Sequence, residues 1–339
     1  MANAVEKVNT IAIADIEAIN GKTDANIQAL NALELSGGYT FGSLTWTTAT
    51  VAPFTRNSSN KIGTAATGAC SEGADANFHE WASDSWSSGG STGSGHGGGM
   101  SGGSLAAGVI YAGWDGSDES TVCEEYNGGT STWSNSGSLT TGHAYPSGGG
   151  YLQTAQLCTG GSSYAPTVRD LKTTQTYNGS TWTDESVNSN GRALGGVVGT
   201  TDNFVKMNGT LDASGMSDDV EHWNGSAWSA LATSPTEGGG GQMGFGVETR
   251  AFKAGGYGRD DYGAPYYYDT TDAVEMWVSD SWSTESSLPA SQATCGYGGG
   301  EGGGGSDGIA GWTAGGYTRV YPTGSNTLLS THYIAEEGG

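Results

Sequence analysis

Residues Tyr177-Asn-Gly-Ser-Thr-Trp182 and Trp223-Asn-Gly-Ser-Ala-Trp228 are two copies of one short cassette: an aromatic residue, a few turn formers, then tryptophan. The cassette occurs three more times, as Trp81-Ala-Ser-Asp-Ser-Trp86, Tyr126-Asn-Gly-Gly-Thr-Ser-Thr-Trp133 and Trp277-Val-Ser-Asp-Ser-Trp282. Asn-Gly between strand formers is a strong hairpin signal, because a type I′ turn needs positive φ at both central residues. Ser-Asp-Ser is expected to fill the same turn through side-chain bonds to the backbone. Each cassette therefore predicts a tight antiparallel hairpin with an aromatic on each strand.

The closing tryptophans Trp86, Trp133, Trp182, Trp228 and Trp282 follow one another at 47, 49, 46 and 54 residues. Trp46 lies 40 residues before Trp86 and has no aromatic ahead of it at cassette spacing. At the other end, His332-Tyr333-Ile334 looks like the opening half of a cassette, with no closing tryptophan before Gly339. The two halves complement each other, so the strand around Trp46 is expected to pair beside the strand around Tyr333. Within each unit a small-residue strand comes first, such as Gly148-Gly-Gly-Tyr151 or Gly97-Gly-Gly-Met100. A second strand then ends near glycine, and a variable loop leads to the hairpin. Four strands at a period near fifty residues predict an all-β, six-bladed β-propeller, its ring closed by pairing of N- and C-terminal strands. The units with Met207-Asn-Gly209 and Thr67-Gly-Ala-Cys70 depart from the pattern and are expected to be irregular blades.

Glycine supplies 61 of 339 residues, about one in six against an average near 7%. Aromatics at 10% and charged residues at only 14% argue against disorder. Glycine has no three-residue period, which excludes collagen. Bundled polyproline-II-like helices, the other Gly-rich architecture, would not carry a fifty-residue hairpin cassette. In a propeller the glycines have a reason, since innermost strands crowd the axis.

Twelve Lys plus Arg against 35 Asp plus Glu give a net charge of −23, spread along the chain. Such a surface repels nucleic acid and anionic membrane, so neither is expected as a partner. Cys70, Cys123, Cys158 and Cys295 share no close spacing and read as buried thiols rather than as a disulfide or zinc framework. No signal-peptide core and no run of roughly 18 apolar residues is present, so synthesis in a cytoplasm without export or membrane insertion is expected.

Composition changes at Ser36-Gly37, which divides an arm, residues 1–36, from a propeller, residues 37–339. The arm carries Ile11, Ile13, Ile16, Ile19, Ile27, Leu30 and Leu33. After the capping candidate Thr23-Asp24, the three-residue recurrence of Ile27, Leu30 and Leu33 predicts a short amphipathic helix. Its stripe is too narrow for a domain. It must bury against the body, a sister chain or a larger assembly.

Glycine closing the second strand, Tyr or Trp in the third and Trp in the fourth resemble Kelch-type propeller blades. The clearest cases are Ala254-Gly-Gly-Tyr257 with Trp277 and Trp282, and Cys158-Thr-Gly-Gly161 with Tyr177 and Trp182. The flavour of the cassettes is similar to Kelch-like repeat proteins of marine bacteriophages. The arm Val8-Asn-Thr-Ile-Ala-Ile-Ala-Asp-Ile-Glu-Ala-Ile-Asn-Gly21 is similar to leading segments of virion structural proteins from such phages. The resemblance implies a non-enzymatic virion protein, assembled in the host bacterial cytoplasm and present in several copies per particle. Its arm would dock on other virion proteins, and its propeller, tail-associated or fibre-like, would meet a host-surface glycan or protein. A head decoration or fibre protein is the alternative.

Catalytic patterns are missing from the sequence. His79, His96, His143, His222 and His332 are scattered over different units, and no HExxH, GxSxG or P-loop occurs. The hairpins lack the Ser-x-Asp-x-Gly order of sialidase Asp boxes, and no cluster matches the copper–Tyr–Cys centre of galactose oxidase, which shares the Kelch propeller. A glycan-cleaving enzyme would need two facing carboxylates, and none is singled out. No cofactor is expected; calcium is a secondary possibility at the acidic turns Asp115-Gly-Ser-Asp-Glu119, Asp218-Asp219 and Asp260-Asp261. The loops between second and third strands carry the distinctive chemistry. One holds Tyr257, Arg259, Asp260, Tyr262, Tyr266, Tyr267 and Tyr268; the next holds Tyr317, Arg319 and Tyr321; a third holds Tyr164 and Arg169. Tyr, Ser, Gly and Arg on variable loops over a fixed scaffold compose a recognition surface. Packing between blades or chains is the competing use of such loops.

Overall fold

The structure is a computed structural model. It describes residues 44–53, 60–63, 67–71, 75–162, 171–211, 216–236, 242–247, 250–259, 268–289, 310–314, 317–319, 326–328 and 332–337, with six short strands before residue 35. Every regular element among these is a strand. The chain divides into two compact units at Ser43–Leu44.

In the larger unit five sheets have four antiparallel strands each, in simple chain order. Sheet I is Lys61–Gly63, Thr67–Ser71, Asn77–Ala82 and Ser85–Ser91; sheet II is Met100–Gly103, Ala107–Tyr111, Cys123–Asn127 and Thr132–Asn135. Sheet III is Ser147–Leu152, Ala155–Thr159, Thr174–Tyr177 and Trp182–Asp184. Sheet IV is Gly196–Thr200, Asn203–Thr210, Met216–Trp223 and Trp228–Ala230. Sheet V is Met243–Val247, Arg250–Ala254, Val274–Val278 and Ser281–Thr284. A sixth sheet combines Ala310–Ala314 and His332–Glu337 with Leu44–Thr48, so the two ends of this unit share one sheet. The first strands of sheets I to V are neighbours in that order, and the first strand of V adjoins Ala310–Ala314 of VI. The units with Asn208 and Cys70, expected to be irregular, both form four-stranded sheets, each with a break in register, at Met207/Gly209 in sheet IV and at Asn77/His79 in sheet I.

Close approach of the first strands explains their glycines. A Cβ on Gly244 of sheet V would sit 2.5 Å from the backbone N and O of Val197 in sheet IV. The glycine pair after each second strand answers a different need. Gly160-Gly161 and Gly255-Gly256 all have positive φ, and so do Ala112-Gly113 and Asn208-Gly209 at the same place. Asparagine tolerates that region, which is why sheet IV needs only one glycine there.

All five cassettes are hairpins, with Trp81 opposite Trp86, Tyr126 opposite Trp133, Tyr177 opposite Trp182, Trp223 opposite Trp228 and Trp277 opposite Trp282. The turn assignment is reversed from expectation. Ser83-Asp84 and Ser279-Asp280 make the two-residue turns with positive φ at both centres. The Asn-Gly cassettes make four-residue loops. In that of sheet II the left-handed residue is Ser131; in those of sheets III and IV it is the glycine alone, Gly179 and Gly225. There Asn178 Oδ1 accepts from the amides of Ser180 and Thr181, and Asn224 Oδ1 from those of Ser226 and Ala227, so the side chain itself closes the turn.

Sheet VI corrects a second expectation. The strand around Tyr333 does pair with the strand around Trp46, but Trp46 stands opposite Ala335 and Tyr333 opposite Thr48. Comparison with sheet V, where Ala254 faces Val274 and Ala314 of sheet VI faces His332, makes Ala335 the counterpart of Trp277. Trp46 is a true closing tryptophan; Tyr333 occupies the position of Glu275.

The core lies between consecutive sheets. Phe78 and Trp133 join sheets I and II with ring centroids 4.4 Å apart, and Tyr111 and Trp182 join II and III at 4.7 Å. Leu157 packs with Val197, Phe204 and Trp223 between III and IV; Val198, Val205 and Met207 pack with Ala251 and Trp277 between IV and V. Cys70, Cys123 and Cys158 are buried free thiols, as expected; Cys295 lies outside the described residues. Closing tryptophans also donate to the preceding sheet. Trp282 Nε1 bonds to the Ala232 carbonyl at 3.1 Å, while the Ala232 amide bonds to Asp280 Oδ1 at 2.6 Å. The same pair of bonds links Thr50 of the sixth sheet to Trp86 and Asp84 of the first, at 3.1 and 3.0 Å.

In the smaller unit, Lys7–Val8 pairs with Ile11–Ala12, Ala18–Ile19 with Lys22–Thr23, and Ala29–Leu30 with Leu33–Glu34. The helix predicted across Ile27, Leu30 and Leu33 is therefore replaced by a hairpin that places Leu30 opposite Leu33. The pairs repeat every eleven residues, around Val8-Asn-Thr-Ile11, Ile19-Asn-Gly-Lys22 and Leu30-Asn-Ala-Leu33 in the sequence. The spacing of three comes from strand ends on either side of a turn, not from helical turns. Ile13, Ile16 and Ile27 lie outside the described residues.

Candidate functional site

The variable segments between second and third strands grow unequal around the ring. Sheet I uses residues 72–76, II 112–122, III 160–173, IV 211–215, V 255–273 and VI 315–331. In V and VI the excursion forms a hairpin of paired strands, and in II a single antiparallel bridge joins Trp114 to Glu119. Tyr257–Arg259 pairs with Tyr268–Thr270, and Tyr317–Arg319 pairs with Asn326–Leu328. The returning strand Tyr268–Thr270 lies beside the outgoing strand Tyr317–Arg319, so the two hairpins stand against each other. The structure thus brings together Tyr257, Arg259, Tyr268, Tyr317 and Arg319 of the expected recognition residues. Asp260, Tyr262, Tyr266, Tyr267, Tyr321, Tyr164 and Arg169 lie outside the described residues.

The acidic turns are occupied by their own chain. Asp115 Oδ1 accepts from the amide and hydroxyl of Ser117, both at 2.8 Å, and from the Asp118 amide at 2.9 Å. These bonds, that from Asp118 foremost, hold its carboxyl below the usual range. Asp219 Oδ2 accepts from Ser217 and Asn190. Asp260 and Asp261 lie outside the described residues. Among the described residues no three acidic, histidine or cysteine side chains converge on a metal-sized site.

A second polar system was not legible as such in the sequence. His96, His143 and Arg192 look scattered, yet each follows a glycine in the link entering sheets II, III and IV. Each reaches the third-strand residue two before the cassette aromatic. His96 Nε2 meets Glu124 at 2.9 Å, His143 Nε2 meets Gln175 Nε2 at 2.8 Å, and Arg192 meets Glu221 at 2.5 Å. The signal that could have shown this is the recurrence of Glu, Gln, Glu and Glu at 124, 175, 221 and 275. In sheet V the link contains no cation, and Lys253 of the second strand bonds Glu275 at 2.6 Å instead.

All these side chains are buried, and the charges follow. Burial pushes the Glu124 and Glu221 carboxyls up, but His96 and the Gly93 amide for one, and Arg192 and Ser189 for the other, outweigh it and hold both below the usual range. Burial lowers His143 to about 4. Lys206, opposite Glu221 but beside Arg192, is lowered by burial and by that guanidinium to about 7. Unpaired buried charge is costly, so this system serves to seat the links on their sheets. The buried acids Glu124, Glu221 and Glu275 each face a basic partner within their own sheet rather than one another.

No protein-family model matches the sequence, and no curated protein matches it. Among solved structures, one titled "Structure of YjhT" superimposes with a TM-score of 0.67 over 84% of this chain and 96% of its own, at 14% identity. YjhT is a Kelch-type β-propeller. With the radial succession of antiparallel sheets, that likeness gives the chain its fold, a β-propeller.

Proposed function

We propose that the larger unit closes as a six-bladed ring and that the protein is a non-enzymatic virion component of a bacteriophage. In this reading it is a tail-associated or fibre propeller that presents its excursion face to a host-surface glycan or protein. One observation carries the reading: the two longest excursions, rich in tyrosine and each bearing arginine, fold as separate hairpins side by side on a hydrogen-bonded scaffold. Packing within a sheet does not call for such projections, because sheets I and IV join their second and third strands through only five residues each. Rigid aromatic side chains offer contact area at low entropic cost, which suits recognition. The unit Met1–Ser43, compact in its own right, is in this reading the end that docks on other virion proteins.

Competition for adsorption tests this. Purified full-length chain is expected to bind host cells and slow attachment of the phage. Replacing Tyr266, Tyr267 and Tyr268 by alanine is expected to abolish both effects while leaving thermal unfolding unchanged. A wild-type chain that neither binds cells nor slows attachment sinks the reading.

A further inference from the structure

Asn-Gly occurs six times in the chain, opening at Asn20, Asn127, Asn178, Asn190, Asn208 and Asn224. The pair has a reactivity of its own. The amide nitrogen of the glycine can attack the asparagine Cγ, because no Cβ on glycine crowds the approach. A C–N bond forms, the side-chain nitrogen leaves as ammonia, and a succinimide remains. Water then opens the succinimide to aspartate or isoaspartate, with no change of oxidation state. The closure needs a carboxamide that can turn and a backbone amide that can reach it. The fold grants these two conditions unequally.

Asn20 lies outside the described residues, and four of the other five pairs are held. Asn178 Oδ1 accepts from the Ser180 hydroxyl and from the Ser180 and Thr181 amides; Asn224 Oδ1 accepts in the same way from Ser226 and Ala227. Asn127 Oδ1 accepts from the Gly129 amide at 2.9 Å, and the Gly128 amide, which would have to attack, donates to the Ala106 carbonyl at 2.9 Å. Asn208 is fully buried, with Nδ2 bonded to the Thr236 carbonyl at 2.9 Å. Asn190 differs from all four. It is exposed, in a bend between the last strand of sheet III and the first strand of sheet IV. Its side chain is tied only through Nδ2, the nitrogen that leaves, which donates to Asp219 Oδ2 at 3.0 Å. Among the described residues neither its Oδ1 nor the Gly191 amide has a hydrogen-bond partner.

We propose that Asn190-Gly191 is the site at which the folded chain deamidates, and that the product loosens the link into sheet IV. The aspartate form puts a carboxylate where Asn190 Nδ2 now meets Asp219, so a hydrogen bond becomes a repulsion. The isoaspartate form lengthens the backbone by a methylene just before Arg192. That arginine seats the link through Glu221 and the Asp219 carbonyl, and the Ser189 amide bonds the same Glu221 from the other side of Asn190. The change therefore falls in the middle of the contacts that hold this link. It needs no ligand and does not depend on the host-recognition reading.

The full-length chain is held in mildly alkaline buffer, well below its unfolding temperature, and the five pairs from Asn127 to Asn224 are followed by peptide mass spectrometry. Conversion at Asn190 is expected first. Asn178 and Asn224 should react at least about tenfold more slowly, because their hydrogen bonds must break before the succinimide closes. In denaturant those bonds are gone, and the five rates should draw together. The aged chain should melt below the fresh one, and Asn190→Asp should lower the melting temperature without ageing. Asn190→Ser, which has no carboxamide to cyclise, should keep its melting temperature through the same incubation. No conversion at Asn190, equal rates at Asn190 and Asn178, or the same order of rates in the unfolded chain overturns the assignment of the site. Full conversion with no loss of melting temperature overturns its effect on the link.

Discussion

Lys206 and Lys253 occupy the same register, opposite Glu221 and Glu275, yet their situations differ by one residue in the preceding link. Arg192 already serves Glu221, which leaves Lys206 as a second buried cation with one bond, to the Arg192 carbonyl at 3.2 Å. Between about pH 7 and the ordinary lysine value of 10.5 the unfolded chain holds a proton there that the folded chain does not. Stability must rise with pH across that window. Lys206→Met is expected to raise the melting temperature at pH 7, with the gain shrinking by pH 10; calorimetry at both pH values checks it. His143 behaves in the same sense lower down. Its Nδ1 donates to the Gly160 carbonyl at 2.6 Å and its Nε2 accepts from Gln175, so the neutral ring is fixed between them. A proton on Nε2 would face the Gln175 donor. Stability is expected to fall as pH drops from 6.5 towards 4, by on the order of 3 kcal/mol, and His143→Gln should flatten that slope in denaturant unfolding. The chemistry of these positions was hidden in the sequence because a lone histidine or arginine shows its role only beside its repeat equivalents.

The hairpin cassette is the element on which the ring is assembled. Asp84 and Asp280 sit at φ of 54° and 60°, where few side chains are comfortable, and each carboxylate bonds a backbone amide of the preceding sheet. That bond explains aspartate in a place where glycine would be relaxed. At position 280, asparagine should preserve both the turn and the bond, glycine the turn alone, and alanine neither. Denaturant unfolding of the three variants is expected to rank them in that order below wild type, alanine losing about 2 kcal/mol. The cassettes were fully legible, since insertions in the loops between them change the distance from one tryptophan to the next but leave the aromatic pair within each cassette close together. Turn type was not: the same aromatic separation accommodates a two-residue loop with Ser-Asp and a four-residue loop with Asn-Gly. The arm was misread for a related reason. Apolar residues three apart mark a helix only when the chain does not reverse between them, and Leu30 and Leu33 face each other across paired strands.

At the scale of the molecule, register decides closure. No turn joins His332–Glu337 to Leu44–Thr48, so nothing local in the sequence fixes which residues face each other. An aromatic at 333 suggested one alignment, and the strand beside it imposed another. Removing residues 332–339 takes away the strand that joins Ala310–Ala314 to Leu44–Thr48 and should destroy cooperative unfolding of the ring. Removing residues 1–43 should leave the ring's melting transition in place, as expected of a separate unit. Calorimetry of the two truncated chains distinguishes a ring held by its last strand from one indifferent to it.

The same arrangement fixes a path for force. Leu44–Thr48 is the first segment of the ring after the arm, and it is held by five residue pairs from Leu44–Glu337 to Thr48–Tyr333, then by Thr50 on the next sheet. A load applied through the chain at Leu44 therefore enters this unit at the sheet where its first strand and its last strand are side by side. The seam carries the tension, and the five hairpin-closed sheets behind it are pulled only after it has yielded.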